Sequence, residues 1–132
     1  MKRILAPILL ALTFSVMFSS PSFAEWKKIG TSVDGDTFYV DFERIRKHHG
    51  YADYWELEDF LKPNLFRFLS GKTYNQGDCK LFRYKTLSHV FLQQPLGQDT
   101  GSSYSPKNPH WRYPYPGSVR ETLLKTVCAY AK

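Results

Sequence analysis

Two cysteines, Cys79 and Cys128, and four histidines, His48, His49, His89 and His110, are the residues of this 132-residue chain whose types suit metal ligation or nucleophilic chemistry. Neither cysteine has a second Cys or a His within four residues, so the short spacing of a zinc ligand pair is missing, and so is C-x-x-C. An even pair in an oxidising compartment reads instead as a disulfide. Closing so long a loop stabilises a fold by about 4 kcal/mol in the chain-entropy description. His48 and His49 are adjacent, so their side chains diverge, and Gly50 beside them suggests a solvated turn. His89 and His110 are isolated in sequence. The acids Asp53, Glu56, Glu58 and Asp59 could imitate a carboxylate pair for acid/base work. Strand alternation, however, places Glu56 and Glu58 together on an outward face, opposite Trp55 and Leu57. There is no G-x-S-x-G, no H-E-x-x-H and no glycine-rich phosphate loop, so an enzyme reading has no anchor. No catalytic residue, metal or cofactor is expected.

What remains is a combination of aromatics and cations. Trp111, Arg112, Tyr113 and Tyr115 are interleaved with Pro114, Lys107 lies nearby, and Lys80, Arg83 and Lys85 precede them on a strand. Large rigid rings and multi-donor cations anchor protein interfaces, and proline reduces the entropy lost on binding. These seven residues other than Pro114 and Lys107 form the expected partner-binding patch. The bland alternative is that Trp111 and Tyr113 simply cover the sheet.

The elements that must position this patch follow from a pass along the chain. Lys2 and Arg3, the apolar stretch 4–18 and the small residues around Ser22-Phe23-Ala24 predict a signal peptide over residues 1–24, leaving one domain over 25–132. The apolar run is shorter than the ~20 residues that cross a bilayer, Pro7 interrupts it, and no later stretch could span. No cysteine follows the signal closely, so the expectation is an exported chain, periplasmic or secreted to the cell surface, not lipid-anchored. Removing Lys2 and Arg3 takes the formal charge from +6 to +4, with nine acidic and five basic residues over 25–60 against three acidic and eleven basic over 61–132. That asymmetry can mark a face for anionic partners.

Strand signals come first, over 26–31 and 37–41, with Asp34-Gly35 between them predicting a hairpin. Residues 42–47 suit a single helical turn. Residues 51–61 alternate as one strand with Trp55 and Leu57 facing inward, stopped by Pro63. The stretch 78–93, rich in Phe, Tyr, Leu and Val, reads as one long bent strand or two consecutive ones, with a bulge resetting its awkward parity. Residues 94–117, with five prolines and three glycines, read as a long ordered loop. Ser118 followed by Glu121 is a capping box, and Val119, Leu123, Leu124, Val127, Cys128 and Ala131 form a stripe at helical spacing. Cys128 thus points inward, where a strand carrying Cys79 could meet it.

Trp26 with Ile29-Gly30, Phe38-Tyr39-Val40-Asp41, Ile45-Arg46-Lys47, Trp55-Glu56-Leu57, Asp78-Cys79-Lys80 with Arg83, and Pro116-Gly117-Ser118-Val119 leading to Val127-Cys128 resemble, in that order, the bacterial surface-adhesin protein E family. The resemblance spans the chain after the signal. It implies an α+β fold, one small antiparallel sheet packed by a C-terminal helix with a disulfide onto that helix. It also implies adhesin-like recognition of another protein, a host matrix or serum protein or an envelope protein. Two readings stand beside it: a periplasmic small-ligand or haem carrier using His48, His49 or His110, and a weak nucleic-acid binder using the basic second part. The second of these is disfavoured.

Overall fold

The computed structural model describes residues 25–130, so the expected signal peptide and Ala131 of the helical stripe lie outside the described residues. Seven antiparallel strands form one sheet: β1 (Trp26–Thr31), β2 (Thr37–Asp41), β3 (Arg46–His48), β4 (Tyr51–Asp59), β5 (Ser70–Asp78), β6 (Arg83–Leu92) and β7 (Ser102–Tyr104), followed by the helix α1 (Val119–Tyr130). The order across the sheet is β1-β2-β4-β5-β6-β7, and β3 pairs with β4. β2 takes residues 56–59 of β4 and β3 takes 51–53, so a short turn over Phe42–Arg44 lets two consecutive strands share one edge.

Local chemistry explains the joints. The β1–β2 hairpin closes through Gly35 N–H on the Ser32 carbonyl (3.0 Å) and Ser32 N–H on the Asp36 carbonyl (2.8 Å), with Gly35 at φ +90°, a conformation a side chain would strain. Between β5 and β6, one Asp78 oxygen accepts the N–H groups of Lys80 and Leu81 (3.1 Å each) while the other holds Arg83 Nε at 3.0 Å. Burial pushes the Asp78 carboxyl up, but the Leu81 N–H, Arg83 and the Lys80 N–H outweigh it and hold its pKa below the usual range. That turn carries Cys79, and Cys79 is bonded to Cys128 with a Cα–Cα distance of 5.6 Å.

At the start of α1 the Ser118 hydroxyl oxygen accepts the Glu121 N–H (3.1 Å), and the Glu121 carboxylate accepts the Gly117 N–H (3.1 Å), one residue earlier than the usual reciprocal bond. The helix buries Leu123, Leu124 and Val127 against Phe38, Val40, Ala52, Tyr54 and Tyr84. Each of those aliphatic side chains contributes roughly 1.5–3 kcal/mol by leaving water. Gly77 makes room for this contact, since a Cβ there would lie 3.0 Å from Leu124.

Several sequence expectations need correction. β4 faces the opposite way: Ala52, Tyr54 and Glu56 are buried under the helix, whereas Trp55 stays partly exposed on the other face. Leu57 is buried as expected, but on that other face, where Gly97 rests against it. The stretch 78–93 is a turn followed by β6, so Cys79 and Leu81 are not strand residues. The bulge exists within β6, where register passes from Ser88 opposite Tyr74 to Thr86 opposite Asn75, skipping Leu87. β5, with its polar sequence SGKTYNQGD, has no counterpart in the sequence reading, although it lies at the centre of the sheet.

Candidate partner-binding site

The expected patch is split by the edge of the sheet. β7 covers β6 only at His89, Val90 and Phe91, and the far part of that edge is closed by a single bridge in which Arg112 N–H meets the Tyr84 carbonyl (2.7 Å) and Tyr84 N–H meets the Arg112 carbonyl (2.9 Å). Backbone pairing thus fixes the proline-rich segment, and its side chains alternate across the edge.

On the side turned away from α1, Trp111 stacks on Tyr51 with ring centroids 5.9 Å apart and planes 18° from parallel. Arg83 lies 4.3 Å and Lys85 4.6 Å from the Trp111 ring centre, so two of the expected cations are held on an aromatic face. Lys80 is exposed at the rim of a recess of about 360 Å³ that also includes Tyr51 and Arg83.

On the helix side, Arg112, Pro114 and Tyr115, with Tyr113 at the edge next to Arg83, wall a groove of about 570 Å³ whose other boundary is Tyr84, Ser118, Val119 and Arg120. Tyr113 and Tyr115 are 63% and 82% exposed, too open to be mere covering for the sheet. The groove ends on a charged network. Arg120 reaches Glu56 at 3.4 Å and Glu58 at 3.8 Å, with its guanidinium 5.4 Å from the Phe38 ring and 5.7 Å from that of Tyr84. Asn75 donates to the same Glu56 oxygen, and Thr86 donates to Asn75 at 2.8 Å, while the second Glu56 oxygen is buried without a partner. Glu56 is only 2% exposed, so the expected solvated acidic face is in fact the inner wall of the molecule.

The charge of Glu56 holds the Arg120 guanidinium above its ordinary pKa against the opposing effect of burial. Burial, with Glu56 and Asp36 nearby, pushes Glu58 up to about 7 despite Arg120. Burial and then the Glu56 charge raise the Tyr54 phenol well above its usual value.

The histidines are distributed. His48 Nε2 lies 2.7 Å from Asp53, and His49 follows it in a left-handed conformation with its ring at right angles to that of His48. His89 is stacked between Phe91 and Tyr104, where burial lowers its pKa, and His110 is exposed. Among the described residues no three His, Cys, Asp or Glu side chains are grouped to hold a metal ion.

Sequence reasoning missed Arg120, Tyr84 and Tyr51, and it weighed Glu56 only as part of a solvated acidic face. One signal was available: Arg120 occupies the first turn of α1, where the helix dipole disfavours a cation, so its presence there calls for a nearby carboxylate.

The sheet order, the single helix tied to the β5–β6 turn and the fixed 111–115 segment can now be set beside known proteins. The surface-adhesin protein E family model matches residues 26–129. The chain belongs to that family. Family membership implies adhesin-like binding and an exported or surface location, and points to a non-enzymatic role. Crystal form II of Haemophilus influenzae protein E is similar in fold, with a TM-score of 0.58 at 20% identity, over 80% of this chain and 90% of that one. A second structure of Haemophilus influenzae protein E gives 0.58 at 18% identity over 80% and 86%. Protein E from non-typeable Haemophilus influenzae gives 0.55 at 16% over 83% and 79%. No curated protein sequence matches the chain. No helix among the described residues is long and apolar enough to cross a membrane.

Proposed function

We propose that this member of the adhesin family is an exported, non-enzymatic binding module that captures another protein, a matrix, serum or envelope protein, in the groove between segment 112–115 and the start of α1. The observation that carries the reading is the fixed, open wall of that groove: Tyr113 and Tyr115 stand exposed on a segment locked by the Arg112–Tyr84 backbone pair and by Pro114 and Pro116. A backbone already fixed in place loses little freedom on binding, which leaves the rings and the guanidinium to make the contacts. Arg112 and Tyr115 are the anchors; Trp111 lies across the edge beneath Arg83 and Lys85, and those two cations with Lys80 affect association rate and salt sensitivity more than affinity.

Capture from envelope extract and from a panel of matrix proteins identifies the partner, after which titration of variants tests the groove. Arg112→Ala is expected to weaken that partner's binding by about 1–2 kcal/mol with an unchanged thermal midpoint, because its side chain is exposed. Wild-type affinity in both Arg112→Ala and Tyr115→Ala would place the contact elsewhere.

A further inference from the structure

The groove leaves the opposite face of the sheet unused. Register defines that face: Arg46 is level with Asp53, Gln76 and Lys85 in one row, and Trp55 is level with Tyr74 in the next. Beyond Gly97, which rests on Leu57 and Lys72, the face opens to solvent over Trp55, Tyr74 and Gln76, all partly exposed.

Most acids of this face have partners, though one Asp53 oxygen is buried without one and Asp59 accepts only the Leu96 N–H, so two carboxylates stand against four cations. Asp41 holds Arg44 at 2.5 Å, Asp78 holds Arg83 at 3.0 Å, and Asp53 holds His48 at 2.7 Å. Among the described residues Lys28, Arg46, Lys72 and Lys85 have no carboxylate within ion-pair distance, so they leave an excess of positive charge on one surface. Burial and then the neighbouring charge of Arg44 lower the Lys72 pKa, as expected where two cations approach without an acid between them. The aromatic rings hold cations and are covered by them: Arg44 sits 5.9 Å from the Trp55 ring centre, and Arg83 and Lys85 lie over Trp111.

We infer that this helix-free face binds a sulfated linear polysaccharide. From Arg46 to Lys85 the row crosses three strand spacings, about 15 Å, so the cations form a strip suited to a polymer of regular negative charge and not a cup for one small anion. A single-stranded nucleic acid would need several free ring faces on which to stack its bases, whereas here Trp111 is covered by Arg83 and Lys85 and Trp55 is tilted against Tyr74 beside Arg44. A protein partner would need an apolar pocket for an anchor, which the row does not offer. The edge segment separates this site from the groove, and the two share only Lys85, which in the proposed function affects association rate and not the groove contact.

The experiment is titration of the purified protein with a heparin decasaccharide at low and high salt, with far-UV circular dichroism to confirm folding of each variant. Binding that weakens steeply with salt is expected, together with a roughly tenfold loss in Arg46→Gln/Lys85→Gln, the sum of two exposed ion contacts. Lys28→Gln/Lys72→Gln is expected to lose a similar factor, and Arg112→Ala to bind like wild type. The desulfated decasaccharide is expected to bind at least tenfold more weakly. Absence of binding at low salt, wild-type affinity in both double variants, or equal binding of the desulfated chain would overturn the assignment. So would tighter binding of an oligothymidylate of equal charge, which would make the face a nucleic-acid surface.

Discussion

The two sides of the sheet use the same residue types and reach opposite electrostatic outcomes. Under α1, Arg120 is flanked by Phe38 and Tyr84 but is neutralised by Glu56 and Glu58, both drawn out of water. On the helix-free side Arg44 and Arg83 also lie against rings and hold Asp41 and Asp78, whereas Lys85, beside the same Trp111 ring as Arg83, has no carboxylate in reach. The difference teaches that an Arg beside an aromatic ring is not in itself a binding signal. Where the carboxylates are buried with it, the pair fixes the helix on the sheet and shapes a groove. Where no carboxylate is in reach, as at Lys85, the ring only orients a charge that remains available to a partner. Under the helix the exclusion of water strengthens the pair further, since less solvent is left to screen it.

The strongest way to break this contrast is to remove Glu56. Glu56→Ala leaves Arg120 without its nearest carboxylate, Asn75 without its acceptor and a void beside Tyr54. A broken buried pair costs 3–5 kcal/mol, and because the Arg120 side chain keeps 32% exposure and can turn toward Glu58 or water, the lower end applies, about 3 kcal/mol. Chemical denaturation measures it. Groove binding should fall with stability while heparin binding to the remaining folded protein holds. A loss below about 1 kcal/mol would mean that the network merely fills space.

Glu58 sharpens the comparison through pH. Its folded pKa of about 7 lies above the ordinary 4.5, chiefly through burial. A carboxyl raised on folding contributes stability fully present below its unfolded value, and that contribution is lost as pH rises toward and through 7, because the unfolded chain releases the proton first. His89 works in the opposite sense: its pKa is lowered by burial and then by Arg112 and Arg120, so its contribution is lost as pH falls below the ordinary 6.5. The difference between variant and wild type isolates Glu58. Glu58→Gln is expected to remove the decline between about pH 4.5 and 7 and to be more stable than wild type, relative to acid conditions, at pH 8. Parallel stability curves for the two proteins across that window would contradict the burial of Glu58 as a near-neutral acid.

What the sequence disclosed depended on how local each cause is. Asp34-Gly35 and Ser118 with Glu121 act within a few residues, and both the hairpin and the helix start stand where those residues predict them. β5 was hidden because its stability comes from two flanking strands: Gly71 and Gly77 are poor strand formers in isolation, and Gly77 is required by Leu124, nearly fifty residues further on. The parity of β4 failed for a similar reason. Glu56 faces inward only because Arg120, 64 residues away, meets it there. The aromatic and cationic residues of the candidate site were visible as types, but their division into two surfaces follows from one backbone bridge between Tyr84 and Arg112, which no local pattern encodes.

The smallest predicted effect tests the joint between helix and groove. Ser118 accepts the Glu121 N–H and donates to the Tyr115 carbonyl at 2.6 Å, so it ties the groove wall to the first turn that carries Arg120. Ser118→Ala removes the side-chain acceptor of an otherwise unpaired helix donor and should cost about 1 kcal/mol. Because the surface exposed on unfolding hardly changes, the denaturation midpoint should shift with the slope constant. Fraying of that turn loosens Arg120 and the Tyr115 wall together, so groove binding should weaken more than the stability loss alone explains, while heparin binding on the opposite face stays at its wild-type value. Ser102→Ala, at an exposed position in β7, is the control. A midpoint for Ser118→Ala indistinguishable from that control would show that the Glu121 side chain and the surrounding turn hold the helix start without the serine, and that the groove wall is positioned by the Arg112–Tyr84 pair alone.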